Sequence, residues 1–273
     1  MQKQKVVKME AGCGRMQNRL LTFDDGTQAC ARYRINTSLM QGEIYSYFLA
    51  KLLGISNLPD LTVDLPDIHN PRWQLVGEEI MEAGWLPTQL VILSRYIDGI
   101  SDTYVPSALR ELVKGSITPA MIASDKSLKQ WSDLIVYDYI IGNMDRLVNS
   151  LHNKQWNAQI MAAPVHNLGE SNNALVIFDN EDGLLHGYRI LDRYSHFHEQ
   201  SLKAICGFNK KTVKNLYKLA SSDIEKELSS LISETEPQVL QYLPQLPSKT
   251  IHTLEDRVSS VISHVNFCET ESS

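Results

Sequence analysis

Over the first hundred residues, apolar and polar positions alternate in short runs with the two-residue period of half-buried strands, broken once by a stretch of helical period. The alternation predicts strands over residues 6–9, 19–23 and 28–35, with a tight turn at Asp24-Asp25-Gly26 between the last two. In the third strand Cys30, Arg32 and Arg34 fall on one face, and Ala31, Tyr33 and Ile35 on the other, so one face is basic. Over residues 41–53 the spacing of Ile44, Tyr47, Phe48 and Leu52 predicts a helix with Glu43 in its first turns and Gly54 as its stop. Further strands are predicted over residues 61–65 and 90–96, after which Asp98-Gly99 reads as a connector.

From residue 101 the pattern turns mainly helical. Residues 131–141 are apolar on most of their circumference, which predicts a buried helix ending at Gly142-Asn143, with Asp145 directly after it. Residues 174–178 form a continuous apolar run, a buried strand that delivers Asp179 at its end. Two amphipathic helices follow, one with Ile224, Leu228, Leu231 and Ile232 as its stripe, the other with Ile251, Leu254, Val258, Ile262 and Val265. The expected fold is α+β, with a strand-rich amino-terminal lobe over 1–98, a mainly helical carboxy-terminal lobe over 99–268 and a disordered tail over 269–273.

Composition adds bounds. A chain of 273 residues is large enough for two packed lobes, and a formal charge of -6 gives no reason to expect nucleic acid as a partner. No run approaches the roughly 20 apolar residues of a membrane span. The amino terminus lacks the apolar region of a signal peptide, so the chain reads as cytosolic or as a lumenal fragment. Cys13, Cys30, Cys206 and Cys268 show no Cys-x-x-Cys spacing and suit two local disulfides better than a metal site, although buried reduced thiols fit too. The sequon at Asn36-Thr37-Ser38 marks Asn36 as a glycosylation candidate and leans toward the secretory lumen.

The order of these pieces is that of a kinase: hairpin with glycines, basic strand, helix with an early Glu, connector, buried helix, acidic loop, and a strand ending in Asp. Phosphoryl transfer needs backbone donors and a cation over the nucleotide phosphates, an acid for the metal, and a carboxylate for the attacking hydroxyl. Gly12 and Gly14 are candidates for the phosphate turn, although a lone Gly-x-Gly also reads as a simple turn. Arg32 is the candidate phosphate-binding cation and Glu43 its helix partner; the alternatives are a surface arginine and a dipole-stabilised helix glutamate. Asp145, in a polar loop after a buried helix, is the candidate catalytic acid, with a loop-capping role as the alternative. Asp179 closes an apolar strand, where a carboxylate needs a cleft, a metal or a cation, and Asn180 and Glu181 beside it offer further oxygens. His196-Phe197-His198 lacks a third placed ligand, and neither Gly-x-Ser-x-Gly nor His-Glu-x-x-His is present.

The motifs Gly12-Cys13-Gly14-Arg15, Asp25-Gly26-Thr27, Ala29-Cys30-Ala31-Arg32-Tyr33, Gln41-Gly42-Glu43, Asp145-Arg146-Leu147-Val148, Phe178-Asp179-Asn180-Glu181 and His186-Gly187-Tyr188-Arg189 occur in one order, and with them the chain resembles the four-jointed family of Golgi kinases over nearly its whole length. That resemblance implies an atypical bilobal kinase fold and a type II Golgi membrane protein whose lumenal domain, possessing no anchor of its own, uses ATP with Mg²⁺ or Mn²⁺ to phosphorylate Ser or Thr in cadherin repeats of the Fat and Dachsous type. Planar polarity and growth signalling are the implied setting, in the Golgi lumen or after secretion. A more distant similarity to secretory-pathway casein kinases assigns Arg32 to phosphate, Glu43 to the helix acid, Asp145 to catalysis and Asp179 to the metal. The resemblance also implies oxidised cysteines, and nearness along the chain pairs Cys13 with Cys30 and Cys206 with Cys268.

Two positions depart from the family pattern. Arg32 stands where most kinases have Lys, and Ser150 stands where the second metal ligand is expected, which leaves Asn149, Glu181 or Glu43 for that place. A kinase-like binding module without transfer, or a secretory sugar kinase, are the competing functions.

Overall fold

The computed structural model describes residues 4–14 and 17–271. Arg15 of the first family motif and the last two residues of the expected tail lie outside that range. The chain divides into two compact units, one of residues 1–40, 59–98 and 229–245, the other of 41–58, 99–228 and 246–273. A boundary at 98/99 is therefore present, but the division is not a single cut: residues 41–58 belong with the later residues and 229–245 with the earlier ones.

The first unit is built on an antiparallel sheet of β1 (Val6–Ala11), β2 (Asn18–Phe23), β3 (Gln28–Tyr33), β4 (Leu61–Asp64) and β5 (Val91–Arg95), in the order β1-β2-β3-β5-β4. One face carries its core: Leu21, Phe23, Ala31, Tyr33 and Leu93 pack with Trp73, Ile80 and Trp85. Tyr33 stacks on Trp85 with ring centroids 5.5 Å apart. Ala31 and Tyr33 thus face inward as their alternation predicts, leaving Cys30 and Arg32 on the opposite face. The strand stops at Tyr33, short of the expected residue 35. Arg34 turns its guanidinium to Asn18 Oδ1 at 2.9 Å, Gln89 donates to the Arg34 carbonyl, and Ile35 is 81% exposed. Glu236 accepts the Val63 N–H at 3.3 Å, which ties the late segment to β4.

Helix α1 (Thr37–Leu53) starts four residues before the expected 41. Its cause is local: the exposed Asn36 accepts the Ser38 N–H at 2.9 Å and caps the first turn. The short α2 (Gly77–Glu82) completes the first unit's early elements.

The second unit holds β6 (Ser101–Tyr104), α3 (Ser107–Arg110), α4 (Pro119–Ser124), α5 (Lys126–Ile141), α6 (Leu147–Lys154), β7 (Pro164–Ser171), β8 (Ala174–Ile177), α7 (Leu185–Arg189), α8 (Leu191–Lys203), α9 (Lys210–Ala220) and the start of α10 (Ile224–Thr235), which passes into the first unit at residue 229. Helix α11 (Pro237–Tyr242) lies in the first unit, and α12 (Ser248–Glu271) in the second. A three-stranded antiparallel sheet, β6-β7-β8, replaces the single strand that the sequence predicts here. Its first two members are short of apolar alternation and take their order from pairing. Helix α5 is buried from Trp131 to Ile141 and begins at the exposed Lys126, because Asp125 caps it by accepting from Ser127 at 2.8 Å. Disulfides join Cys13 to Cys30 and Cys206 to Cys268. The second holds the end of α12, so residues 269–271 are helical where a disordered tail is expected.

On α8, His198 is buried against Tyr139 and near Arg257, and its Nε2 finds no partner among the described residues. Burial, with the Arg257 charge adding to it, holds the imidazole down to about 3. The unfolded chain therefore binds this proton from about pH 6.5 downward while the folded chain refuses it, so stability is full above pH 6.5 and lost as pH falls. Between pH 6.5 and 5 the wild type is predicted to lose up to about 1.4 kcal/mol per pH unit more than His198→Phe, read from urea denaturation at each pH. Parallel curves for the two proteins would refute the neutral buried histidine.

Candidate functional site

Asp145 and Asp179 are placed by two buried elements and one guanidinium. Helix α5 ends at Gly142, whose φ of +68° is the left-handed turn that glycine adopts freely. The chain then leaves the helix through Asn143, fully buried, whose Oδ1 accepts the Asp145 N–H at 2.8 Å. This fixes the backbone of the acidic loop. The Asp145 carboxylate, about a quarter exposed, accepts from Asn167 Nδ2 at 2.7 Å and lies 3.4 Å from His166 Nδ1 through the same Oδ2.

Arg146, the next residue, points inward and is 1% exposed. Its Nη1 donates to Asp138 Oδ1 at 2.5 Å, its Nε to the Asn167 carbonyl at 3.2 Å, and its Nη2 to the Phe178 carbonyl at 3.1 Å and Asn180 Oδ1 at 2.5 Å. One planar fork thus ties α5, β7 and the segment after β8 together. Burial pushes the Asp138 carboxyl above its ordinary range, while the Arg146 charge and hydrogen bond pull it back.

Asp179 follows Phe178 just past β8, half-buried, with φ +59°. A non-glycine residue in that region stays there only when its surroundings impose it, and both neighbours are held by Arg146. On the other side the Glu43 carboxylate accepts the Asn180 N–H. Helix α1 can come this close because its facing residue is Gly42: a Cβ there would strike the Glu181 carbonyl, and one on Gly183 would strike Ser46 Oγ. Glycine at 42 and 183 is a packing requirement.

The second unit therefore brings together Glu43, Asp145 and Asp179 around Arg146. Asn180, expected to offer an oxygen, has spent its Oδ1 on Arg146. Asn149 lies one turn along α6 from Asp145 with its Oδ1 accepting from Asn153 at 2.8 Å, and Glu181 is 3% exposed. Ser150 turns its hydroxyl to the Arg146 carbonyl at 3.5 Å. Arg32, 8% exposed on β3, and Gly12 and Gly14 in the β1–β2 connection belong to the first unit. There Cys13 and Gly14 have φ of +59° and +89°, and Asn18 Nδ2 donates to the Cys13 carbonyl at 2.7 Å, so the glycine turn is anchored by side chain and disulfide.

Three positions of this network carried no role in the sequence. Asp138 was signalled by its charge inside an otherwise apolar helix, and Arg146 by its place beside Asp145; such a carboxylate demands a cation. Asn167 gave no signal beyond its tolerance of left-handed φ, here +53°. Among the described residues, Cys206, His264 and Cys268 bring possible metal-ligand atoms within 4.8 Å, but both sulfurs are used in the disulfide.

A strand-rich unit, a mainly helical unit and a carboxylate loop held on a buried helix make an α+β protein-kinase-like fold. Over 97% of this chain and 74% of the other, the structure matches that of the Golgi casein kinase with Mn/ADP bound, at a TM-score of 0.60 and 12% identity. The chain belongs to the four-jointed box family: residues 1–271 match the model of the four-jointed box protein middle domain. It is 36% identical to the extracellular serine/threonine protein kinase four-jointed of Drosophila melanogaster, over 97% of this chain and 55% of that protein. It is also 36% identical to four-jointed box protein 1 of Xiphophorus maculatus, over 97% of this chain and 64% of the relative. The chain thus spans less than two thirds of the length of either relative.

Removing Arg146 strands the Asp138 carboxylate. Arg146→Met is predicted to destabilise by about 3–5 kcal/mol in urea titrations. The Asp138→Leu/Arg146→Met double variant should regain the part due to the stranded charge but not that due to the lost bonds to Asn167, Phe178 and Asn180. A single variant within 1 kcal/mol of wild type would contradict this.

Proposed function

We propose that this chain is the kinase portion of a secretory-pathway protein that transfers the ATP γ-phosphate to Ser or Thr hydroxyls of extracellular cadherin repeats. The observation that carries the reading is the Arg146 network, which holds the two acids that phosphoryl transfer needs in one frame. The name of the Drosophila relative and the fold shared with a kinase that binds Mn/ADP support it.

In this reading Asp145 accepts the proton of the acceptor hydroxyl as its oxygen bonds to the γ-phosphorus and the bond to the ADP oxygen breaks. Asp179 would hold Mg²⁺ or Mn²⁺, which would supply positive charge to offset that of the transferring phosphoryl group. Hard cations take carboxylate oxygens, and Asp179 fits that demand. Glu43 supports the second ligand place better than Asn149, because its carboxylate already faces the loop after Asp179 while the Asn149 oxygen serves Asn153. Glu181 is the remaining candidate. Arg32, with the backbone of Gly12 and Gly14, is assigned to the nucleotide phosphates. The setting proposed is the Golgi lumen, with a membrane anchor in the full-length protein, a glycan on the exposed Asn36 and a role in planar cell polarity. No helix among the described residues is long and apolar enough to cross a membrane.

Mass spectrometry of a recombinant cadherin-repeat fragment incubated with ATP and Mn²⁺ or Mg²⁺ tests the reading. Wild type should add phosphate to Ser or Thr, and Asp145→Ala and Asp179→Ala should each slow it at least about 100-fold. Asp179→Ala should also abolish the metal-dependent thermal shift given by nucleotide, which Asp145→Ala should keep. Unlabelled repeats with wild type, or equal labelling by both variants, would sink it; a glycan labelled in preference to the repeat would favour a sugar kinase.

A further inference from the structure

Asn167 bonds at both ends to the two consecutive residues of the acidic loop. Its side-chain amide donates to Asp145 Oδ2 at 2.7 Å, and its carbonyl accepts from Arg146 Nε at 3.2 Å. The residue is 8% exposed, so its amide has little water to turn to, and its φ of +53° is one that Asn tolerates better than most side chains. Just past the neighbouring strand, the Phe178 N–H reaches the same Asn167 carbonyl at 3.4 Å, one residue before Asp179. Asn167 is therefore the point where the base, the guanidinium and the approach to the metal acid meet. Asp145 Oδ1, by contrast, accepts from no described residue.

We propose that Asn167 is a positioning residue for phosphoryl transfer: its amide ties Oδ2 of Asp145 and thereby presents Oδ1 to the acceptor hydroxyl. This rests on the kinase reading above. The amide suits the task because it donates without carrying a charge, so it orients the carboxylate without neutralising its basicity as a bound cation would. His166 reaches the same Oδ2 only at 3.4 Å and is 62% exposed, which makes it a poor substitute. In the transfer itself the proton passes from the acceptor hydroxyl to Oδ1 while Asn167 stays bonded to Oδ2.

Two variants separate the amide from the backbone. Asn167→Gly deletes the donor while accepting the left-handed φ, and Asn167→Asp keeps shape and φ but sets an acceptor against Oδ2. With metal-ATP and a cadherin repeat, kcat should fall about 10- to 100-fold for Gly and further for Asp, with KM for ATP within about twofold of wild type. Circular dichroism melts establish that each variant is folded, and crystal structures supply a readout free of turnover. In Asn167→Gly the Asp145 carboxylate should leave its present position while Arg146 keeps its bonds to Asp138, Phe178 and Asn180. An unchanged kcat, a rise in KM for ATP that accounts for the loss, or an Asp145 carboxylate that stays in place would overturn the assignment. If wild type transfers no phosphate, the kinase reading fails, and the Asp145 position in Asn167→Gly alone decides whether Asn167 orients it.

Discussion

The ion pair of Asp138 and Arg146 is the constraint on which the rest of the site depends. Two charges taken out of water cost several kcal/mol each unless every remaining donor and acceptor is matched. Here the demand is met by drawing three chain segments onto one guanidinium: the Asp138 turn of α5, the Asn167 carbonyl of β7, and the Phe178–Asn180 stretch after β8. The stability of the pair and the placement of the acids are one fact. The backbone of Asp145 cannot move without its neighbour Arg146, and Asp179 sits between two residues that Arg146 holds.

The same logic explains the glycines and the strained residue. Gly142 lets the chain leave α5 at once, so that Asp145 follows three residues after this cap. Gly42 and Gly183 let α1 lie against the loop, which brings the Glu43 carboxylate to the Asn180 N–H. Asp179 accepts a left-handed φ because these contacts over-determine its backbone. A residue strained between two pinned neighbours has few other places to put its carboxylate, which suits the metal-binding role proposed for it.

Much of this was written in the hydrophobic pattern. The runs that form β2, β3, α5 and β8 were long enough to be read directly, and Asp179 followed from the cost of closing an apolar strand with a charge. The chemistry of single side chains set what was missed. Helix starts moved by four or five residues because Asn36 and Asp125 act as caps, which periodicity does not register. Strands β6 and β7 carry too little alternation to be seen without their partners. The grouping of 229–245 with the amino-terminal sheet depends on tertiary bonds such as Glu236 to Val63, and no local pattern announces those. Asn167 was invisible for the same reason, since its role lies in what it touches.

Diffraction from crystals soaked with Mn²⁺ and a non-hydrolysable ATP analogue, collected at the manganese edge, tests the central claim most directly. The account predicts an anomalous peak coordinated by an Asp179 oxygen, with Asp145 still bonded to Asn167 and Arg146 still bonded to Asp138 and Asn180. A manganese peak away from Asp179, or a guanidinium released from those partners when metal and nucleotide are bound, would contradict it.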